Sequence, residues 1–156
     1  MRKDSCKKTV LELVKKWLED NRIGYKTEDF GLSFLFQQGH FLVFDPYEDP
    51  GYLYLVMPCI DEFDQEDKPL VLTITNQLTK EKKCLKACVR KNSEVWLSIE
   101  QFLNVEAPLD SDIMFRLLDI LLIGRREYGF LKDKYTNDFC PNESSQLLEN
   151  KEEFNN

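Results

Sequence analysis

The sequence predicts an α+β fold in which three helices pack on one antiparallel sheet of about five strands, in the order α-β-β-β-α-β-β-α. Two observations carry this prediction. Apolar residues repeat at helical spacing near both ends of the chain, and short segments rich in Phe, Leu and Val are joined by tight-turn residues between them. At 156 residues the chain fits a single domain that can bury its own core.

The first helix is predicted from a stripe of apolar residues that faces away from a set of lysines. Asp4 or Ser5 can cap its start. Gly24 can end it, because glycine tolerates the left-handed conformation of many helix stops. The positions that repeat at helical spacing are Val10, Leu11, Val14, Trp17, Leu18 and Asn21.

Three or four strands are expected next. Residues 25–30 alternate weakly, whereas residues 32–37 and 40–45 are rich in Phe, Leu and Val, with Gln38-Gly39 as the hairpin turn between them. Residues 52–60 are apolar on both faces, which is typical of a central, buried strand.

Residues 69–79 can be read in two ways. Thr73 and Thr75 are β-branched and favour a strand ending near Thr75. Asp67 and Pro69 suit the start of a helix, and Leu70, Ile74 and Leu78 share one helical face. The segment is predicted to be helical, with the strand as the alternative.

A second hairpin and a long last helix complete the predicted domain, which spans residues 1–135. Residues 83–91 and 94–102 alternate around Asn92-Ser93. Asp110-Ser111-Asp112 caps a helix whose pattern fades near Lys134. Residues 136–156 are polar and without periodicity, and are predicted to form a flexible C-terminal tail.

The charge and cysteine content restrict the partners and the compartment. The formal net charge of −7 argues against nucleic acid and anionic membranes, which require a basic face. Charged residues interrupt the apolar residues of 10–18, so no secretory leader is expected there, and no apolar run is long enough to span a bilayer. Five cysteines are an odd number for a disulfide framework, which indicates free thiols and a cytoplasmic location.

The sequence predicts neither metal binding, nor thiol catalysis, nor a carboxylate site: we expect no catalytic residues, no cofactor and no metal. Cys84 and Cys88 would lie about 13 Å apart on a strand, too far to share one ion with Cys59. His40 is the single histidine and would need a cysteine beside it to form a catalytic pair. The acidic residues crowd two loops without the spacing of a calcium loop; they are Asp45, Glu48, Asp49, Asp61, Glu62, Asp64, Glu66 and Asp67.

The sequence is rich in aromatic side chains, which make up 12% of its residues. Phe34 and Phe36 share one strand face, whereas Phe41 and Phe44 point to opposite faces, so the sheet has apolar residues on both faces. Either the helices divide between the two faces, or apolar surface is left for a partner. The residues predicted to contact such a partner are Phe34, Phe36, Tyr54 and Trp96.

The order of elements over residues 5–135 resembles the type III secretion chaperone-like fold, in particular the bacterial YbjN-type domains. The resemblance implies a non-enzymatic protein that holds a partner polypeptide, with the sheet contributing to a homodimer, and it carries over no active site. It rests on Trp17-Leu18 followed by Gly24, Tyr52-Leu53-Tyr54-Leu55 after an Asp-Pro turn, Asn76 before Leu78, Lys86-Ala87-Cys88-Val89 opposite Glu94-Val95-Trp96-Leu97, and residues 113–122.

The leading functional hypothesis is a cytoplasmic protein-binding module, chaperone-like or regulatory, that binds a partner polypeptide through apolar surface and catalyses nothing. The first alternative is an immunity-type inhibitor, since a small acidic protein suits the electrostatic capture of a basic toxin. The second alternative is an enzyme with an acidic or thiol site, which would require Asp and Glu side chains to converge in a pocket.

Overall fold

A computed structural model of the chain describes residues 8–46 and 48–139. Within these residues the order of elements is α-β-β-β-β-α-β-β-α, which confirms the α+β class. A short 3-10 turn, Gln65–Asp67, precedes the second helix. The elements are α1 (Val10–Asp20), β1 (Tyr25–Glu28), β2 (Gly31–Phe36), β3 (Gly39–Phe44), β4 (Tyr52–Glu62), α2 (Lys68–Glu81), β5 (Lys86–Val89), β6 (Glu94–Phe102) and α3 (Ser111–Phe139).

The described part of the chain forms one six-stranded sheet in the order β1-β2-β3-β4-β6-β5, and all its neighbours are antiparallel. The sequence predicted about five strands, and the additional one is β1, whose alternation is weak. It pairs along its whole length with β2, from Tyr25 opposite Phe34 to Glu28 opposite Gly31. β4 lies inside the sheet between β3 and β6, as its apolar residues on both faces predicted.

The ends of α1 differ from the predicted ones. The helix begins at Val10 behind a capping box, in which the Thr9 hydroxyl accepts from the Glu12 amide and the Glu12 carboxylate accepts from the Thr9 amide. The predicted caps, Asp4 and Ser5, lie outside the described residues. The helix ends at Asp20, and Arg22 rather than Gly24 takes the left-handed conformation, with φ of 57°.

The second helix confirms the helical interpretation of residues 69–79, and the strand alternative is wrong. Pro69 lies in its first turn, although the Asp67 side chain makes no capping hydrogen bond. The β-branched threonines fit because their hydroxyls donate within the helix, from Thr73 to the Pro69 carbonyl (2.9 Å) and from Thr75 to the Leu72 carbonyl (3.1 Å).

Asp61 was predicted to lie in an acidic loop, but it lies near the end of strand β4 and its carboxylate accepts two hydrogen bonds. Pairing between β4 and β6 shifts between Met57 and Asp61, a β-bulge in which Cys59 has φ of 47°. The Asp61 carboxylate then accepts from the Tyr128 hydroxyl at 2.6 Å and from the Lys132 ammonium at 2.7 Å. These contacts join the C-terminal half of α3 to the end of the central strand.

The second hairpin and the last helix differ from prediction mainly in length. β5 is shorter than residues 83–91 and covers only Lys86–Val89, where the Thr79 hydroxyl accepts from the Ala87 amide at 2.9 Å on its outer edge. Asp110 caps α3, as predicted, by accepting from the Asp112 amide at 2.8 Å. The helix continues to Phe139, into the predicted tail, and residues 140–156 lie outside the described residues.

The three helices of the described residues pack on the same face of the sheet. The strand register places Leu32, Phe41 and Leu55 on that face, and all are fully buried in one core. Phe115 of α3 contacts both Trp17 of α1 and Phe36 of β2. Its ring centroid lies 5.0 Å from that of Trp17 and 5.7 Å from that of Phe36. The Trp17 indole also donates to the Ser111 hydroxyl at 3.1 Å.

Two glycines of α3 make a matched test of this packing. A Cβ added at Gly124 would lie 2.7 Å from Leu85 Cδ2 and 3.2 Å from Leu97 Cδ1, whereas one added at Gly129 would meet nothing within 4 Å. Gly129→Ala should therefore stabilise the fold by about 0.5–1 kcal/mol through helix propensity. Gly124→Ala should be less stable than Gly129→Ala by about 1–3 kcal/mol because of overpacking. Urea unfolding measures both, and equal stability would contradict the close contact between α3 and the sheet.

The Asp61 contacts give a second stability test. Asp61→Ala leaves the buried Tyr128 hydroxyl and the partly buried Lys132 ammonium without their shared acceptor. The expected cost is about 1–3 kcal/mol in the free energy of unfolding. Asp64→Ala, at a nearby exposed position, should change stability by less than about 0.5 kcal/mol. Equal effects of the two substitutions would show that the bonds to Asp61 contribute nothing.

Candidate functional site

The face of the sheet opposite the helices carries large apolar side chains that do not belong to the core. The strand register places Leu35, Phe44, Tyr52, Tyr54, Trp96 and Phe102 on this side, here called the helix-free face. None of the six is part of the buried core. Leu35 and Phe102 are each 70% exposed, and the other four are half-buried. The smaller Leu42, Val56 and Ser98 between them are buried.

Ring contacts order the aromatic residues of this face. Phe44 and Tyr54 are stacked across β3 and β4, with centroids 5.3 Å apart, and Tyr52 lies 5.3 Å from Phe102 across β4 and β6. The Trp96 indole donates to the Glu94 carboxylate at 2.7 Å, and the Arg90 guanidinium lies 4.6 Å from the Trp96 ring centroid. Rings fixed in this way lose little conformational entropy when a partner covers them.

A polar chain crosses the face beside the aromatic residues. The Glu100 carboxylate accepts from the Tyr52 hydroxyl and, at 2.9 Å, from the Lys86 ammonium. The hydrogen bond from Tyr52, followed by that from Lys86, lowers the pKa of Glu100. The hydrogen bond between Tyr52 and Glu100 raises the pKa of Tyr52 to about 12, and burial raises the pKa of Tyr54. All three groups therefore keep their protonation states across the physiological range.

The four residues predicted to contact a partner divide between the two faces. Phe34 is 3% exposed and stacks on Phe41 inside the core, and Phe36 packs on Phe115 of α3. A partner cannot reach Phe34 on this structure, since the helices cover it. Tyr54 and Trp96 both lie on the helix-free face.

Phe102, Leu35, Phe44 and Tyr52 also belong to this surface and were not among the predicted contact residues. Alternation within β4 already groups Tyr52 with Tyr54, and alternation within β6 groups Trp96 with Phe102. That signal was available in the sequence. Which of the two groups faces the helices depends on the packing of α1, α2 and α3, and no residue pattern reports it.

The structure separates the single histidine, His40, from Cys88. His40 is exposed on β3 and Cys88 is half-buried on β5, so two strands and about 14 Å lie between them. Local desolvation, a 3.3 Å hydrogen bond to Glu62 and nearby carboxylates raise the pKa of the Cys59 thiol to about 11. A thiol held protonated in this way is a poor nucleophile at neutral pH. Cys6 and Cys140 lie outside the described residues.

One group of metal-ligand atoms is found among residues 8–46 and 48–139. It joins the Cys59 thiol to the Glu62 and Glu94 carboxylates, with ligand atoms within 4.8 Å of one another. The β-bulge at Cys59 creates it, and the spacing of these residues did not indicate it. The group includes neither Cys84 nor Cys88. A thiolate and two carboxylates on an open surface fall short of the four ligands of a structural zinc site.

None of the helices in the described residues is long and apolar enough to cross a membrane.

Comparison with known proteins establishes the fold. No family model and no curated protein matches the sequence. An uncharacterized protein from Methanothermobacter thermautotrophicus superposes with a TM-score of 0.55 at 10% identity, over 80% of this chain and 96% of that one. YbjN from E. coli, a candidate transcription regulator, superposes with a TM-score of 0.52 at 10% identity, over 82% of this chain and 92% of that one.

The chain has the YbjN-type fold. The family resemblance of the sequence is thereby confirmed at the level of the fold. Identity of 10% carries no residue roles from either structure to this chain.

The environment of Cys59 predicts an unusual pH dependence of alkylation. With a pKa near 11 rather than 9, the thiolate fraction at pH 8 is about one-hundredth of that of an ordinary cysteine. Iodoacetamide labelling of Cys59, followed by peptide mass mapping, should therefore be slow and should still accelerate above pH 9. Glu62→Gln should speed labelling at pH 8 several-fold, whereas Glu66→Gln should not. A labelling rate that levels off near pH 9 would contradict this environment.

Proposed function

We propose that this chain is a non-enzymatic protein-binding module that docks a partner polypeptide on the helix-free face of its sheet. The observation that carries the proposal is the one-sided packing of the helices, which leaves Tyr54, Trp96 and Phe102 without a covering layer among the described residues. Aromatic side chains of this kind supply most of the binding energy in protein interfaces.

The size of the helix-free face suits a protein partner. Six strands spaced 4.8 Å apart, with about six residues along each strand, give a surface of roughly 29 by 20 Å. That area, roughly 580 Å², is about three-quarters of the ~800 Å² that each partner contributes to a standard interface. Glu100, Lys86 and Arg90 lie beside the aromatic residues. The surface therefore combines aromatic side chains with charged groups, Glu100 among them and Lys86 and Arg90 towards the β5 edge, and both kinds of group can contact a protein partner.

Two further observations support binding over catalysis. His40 and Cys88 lie on strands that are not neighbours, and the Cys59 thiol is held protonated, so neither arrangement activates a nucleophile. The structurally similar YbjN is a candidate transcription regulator. A regulatory role in the cytoplasm, exercised through a partner polypeptide, is consistent with a binding surface and requires no active site.

Phe102 and Phe130 provide a matched pair for testing this proposal. Phe102 lies on the helix-free face and is 70% exposed, and Phe130 lies on α3 and is 69% exposed. Partners captured by a photo-crosslinking residue at position 102 would be identified by mass spectrometry, and their affinity for the purified chain measured by titration. Phe102→Asp should weaken binding at least about tenfold, since a charge is placed in an apolar contact. Phe130→Asp should leave the affinity within about twofold.

The outcomes separate the proposal from its alternatives. A partner that binds Phe102→Asp and wild type equally well docks elsewhere and would refute the helix-free face as the site. Self-crosslinking at position 102, together with a dimer that Phe102→Asp dissociates, would identify a second copy as the occupant. Turnover of a ligand by the purified chain would refute the non-enzymatic proposal.

A further inference from the structure

A groove lies between the start of α2 and the end of α3, on the helical side of the sheet. Its volume is about 400 Å³, within the range of sites that hold bulky apolar groups. Tyr135 fixes its geometry by donating its hydroxyl to the Gln77 side-chain oxygen at 2.7 Å, which joins α3 to α2. The groove is lined by Glu66, Asp67, Pro69, Leu70, Thr73, Tyr135 and Thr136.

The walls of this groove are apolar although they contain hydroxyl groups. The Thr73 hydroxyl donates to the Pro69 carbonyl at 2.9 Å, and the Thr136 hydroxyl donates to the Lys132 carbonyl at 2.8 Å. The Tyr135 hydroxyl is used by Gln77. The polar atoms of these three side chains are thus bonded within the helix layer, and a ligand meets mainly carbon atoms, for which displacement of water is favourable.

The charge at the margin of the groove selects its occupant. Glu66 and Asp67 are both exposed, and among the described residues neither forms an ion pair. Two unpaired carboxylates beside an apolar groove favour a cation attached to an apolar group, and they repel an anion. They disfavour residues 140–156 of this chain as occupant, because that segment carries four glutamates against one lysine.

We propose that this groove binds a segment of a partner polypeptide in which one or two bulky apolar residues adjoin lysine or arginine. The apolar side chains fill the space between Leu70, Thr73 and Tyr135, and the basic residues lie against Glu66 and Asp67. This site is separate from the helix-free face, which lies on the other side of the sheet. Either surface can fail its test without affecting the other.

The test uses the full-length chain labelled with ¹⁵N and three synthetic peptides, which contain Leu-Leu-Lys-Lys, Leu-Leu-Glu-Glu or Ser-Ser-Lys-Lys between glycines. The first peptide should shift the backbone amides of Leu70, Thr73, Tyr135 and Thr136 and saturate them. The other two should bind at least about tenfold more weakly, since each lacks one of the two contacts. Equal binding of all three peptides, no saturation by the first, or shifts confined to the helix-free face would overturn the proposal.

Two sets of variants complete the test. Glu66→Lys should weaken binding of the Leu-Leu-Lys-Lys peptide about fivefold, because an exposed attraction becomes a repulsion. Asp119→Lys makes the same change of charge at an exposed position of α3 outside the groove and should leave affinity within about twofold. If both variants weakened peptide binding equally, the affinity would depend only on the net charge of the protein, and the proposed site would be refuted. If Leu147→Ser combined with Leu148→Ser strengthens peptide binding, the C-terminal residues occupy the groove and the partner proposal is wrong; unchanged binding supports it.

Discussion

The packing of α3 across one face of the sheet is the constraint on which the other contacts depend. Near its start, Phe115 contacts rings of α1 and β2; at its middle, Gly124 faces Leu85 and Leu97; farther along, Tyr128 and Lys132 bond to Asp61. One helix therefore contacts elements that are far apart in the chain. Since a small residue is needed where α3 approaches the sheet, its position along the sheet is fixed to within a turn.

That constraint explains the apolar second face. Side chains alternate along each strand, so every core residue of β4 has neighbours that point away from the helices. In most half-buried sheets those neighbours are polar. Here Tyr52 and Tyr54 occupy them, and aromatic residues of β3 and β6 stand beside them. This departure from the usual pattern is the strongest reason to interpret the face as functional, since exposed apolar patches mark interaction sites.

Sequence reasoning predicted the fold well where a local signal agreed with the tertiary structure. Asp67 and Pro69 correctly indicated the start of α2, although the two threonines favoured a strand. The threonines fit the helix because their hydroxyls bond to carbonyls within it. Sequence reasoning placed the end of α1 wrongly at Gly24, since Arg22 adopts the left-handed conformation with a side chain that seldom does so. The hydrogen bonds of Asp61 could not be predicted from the local sequence, because its partners are 67 and 71 residues away.

The same distinction applies to the candidate site. Tyr54 and Trp96 were predicted as contact residues from aromatic content and lie on the helix-free face, but Phe34 was grouped with them because alternation does not reveal which face the helices cover. No pattern in the sequence indicated the groove between α2 and α3. Its walls contain threonine and tyrosine side chains, and they are apolar only because the hydroxyls of these side chains bond to groups of the helices.

The two proposed surfaces lie on opposite sides of the sheet, so occupation of one would leave the other accessible. Both contacts of α3 lie on the helical side: Tyr135 lines the groove, and Tyr128 and Lys132 bond to Asp61, which is opposite the core residue Val95 on β6.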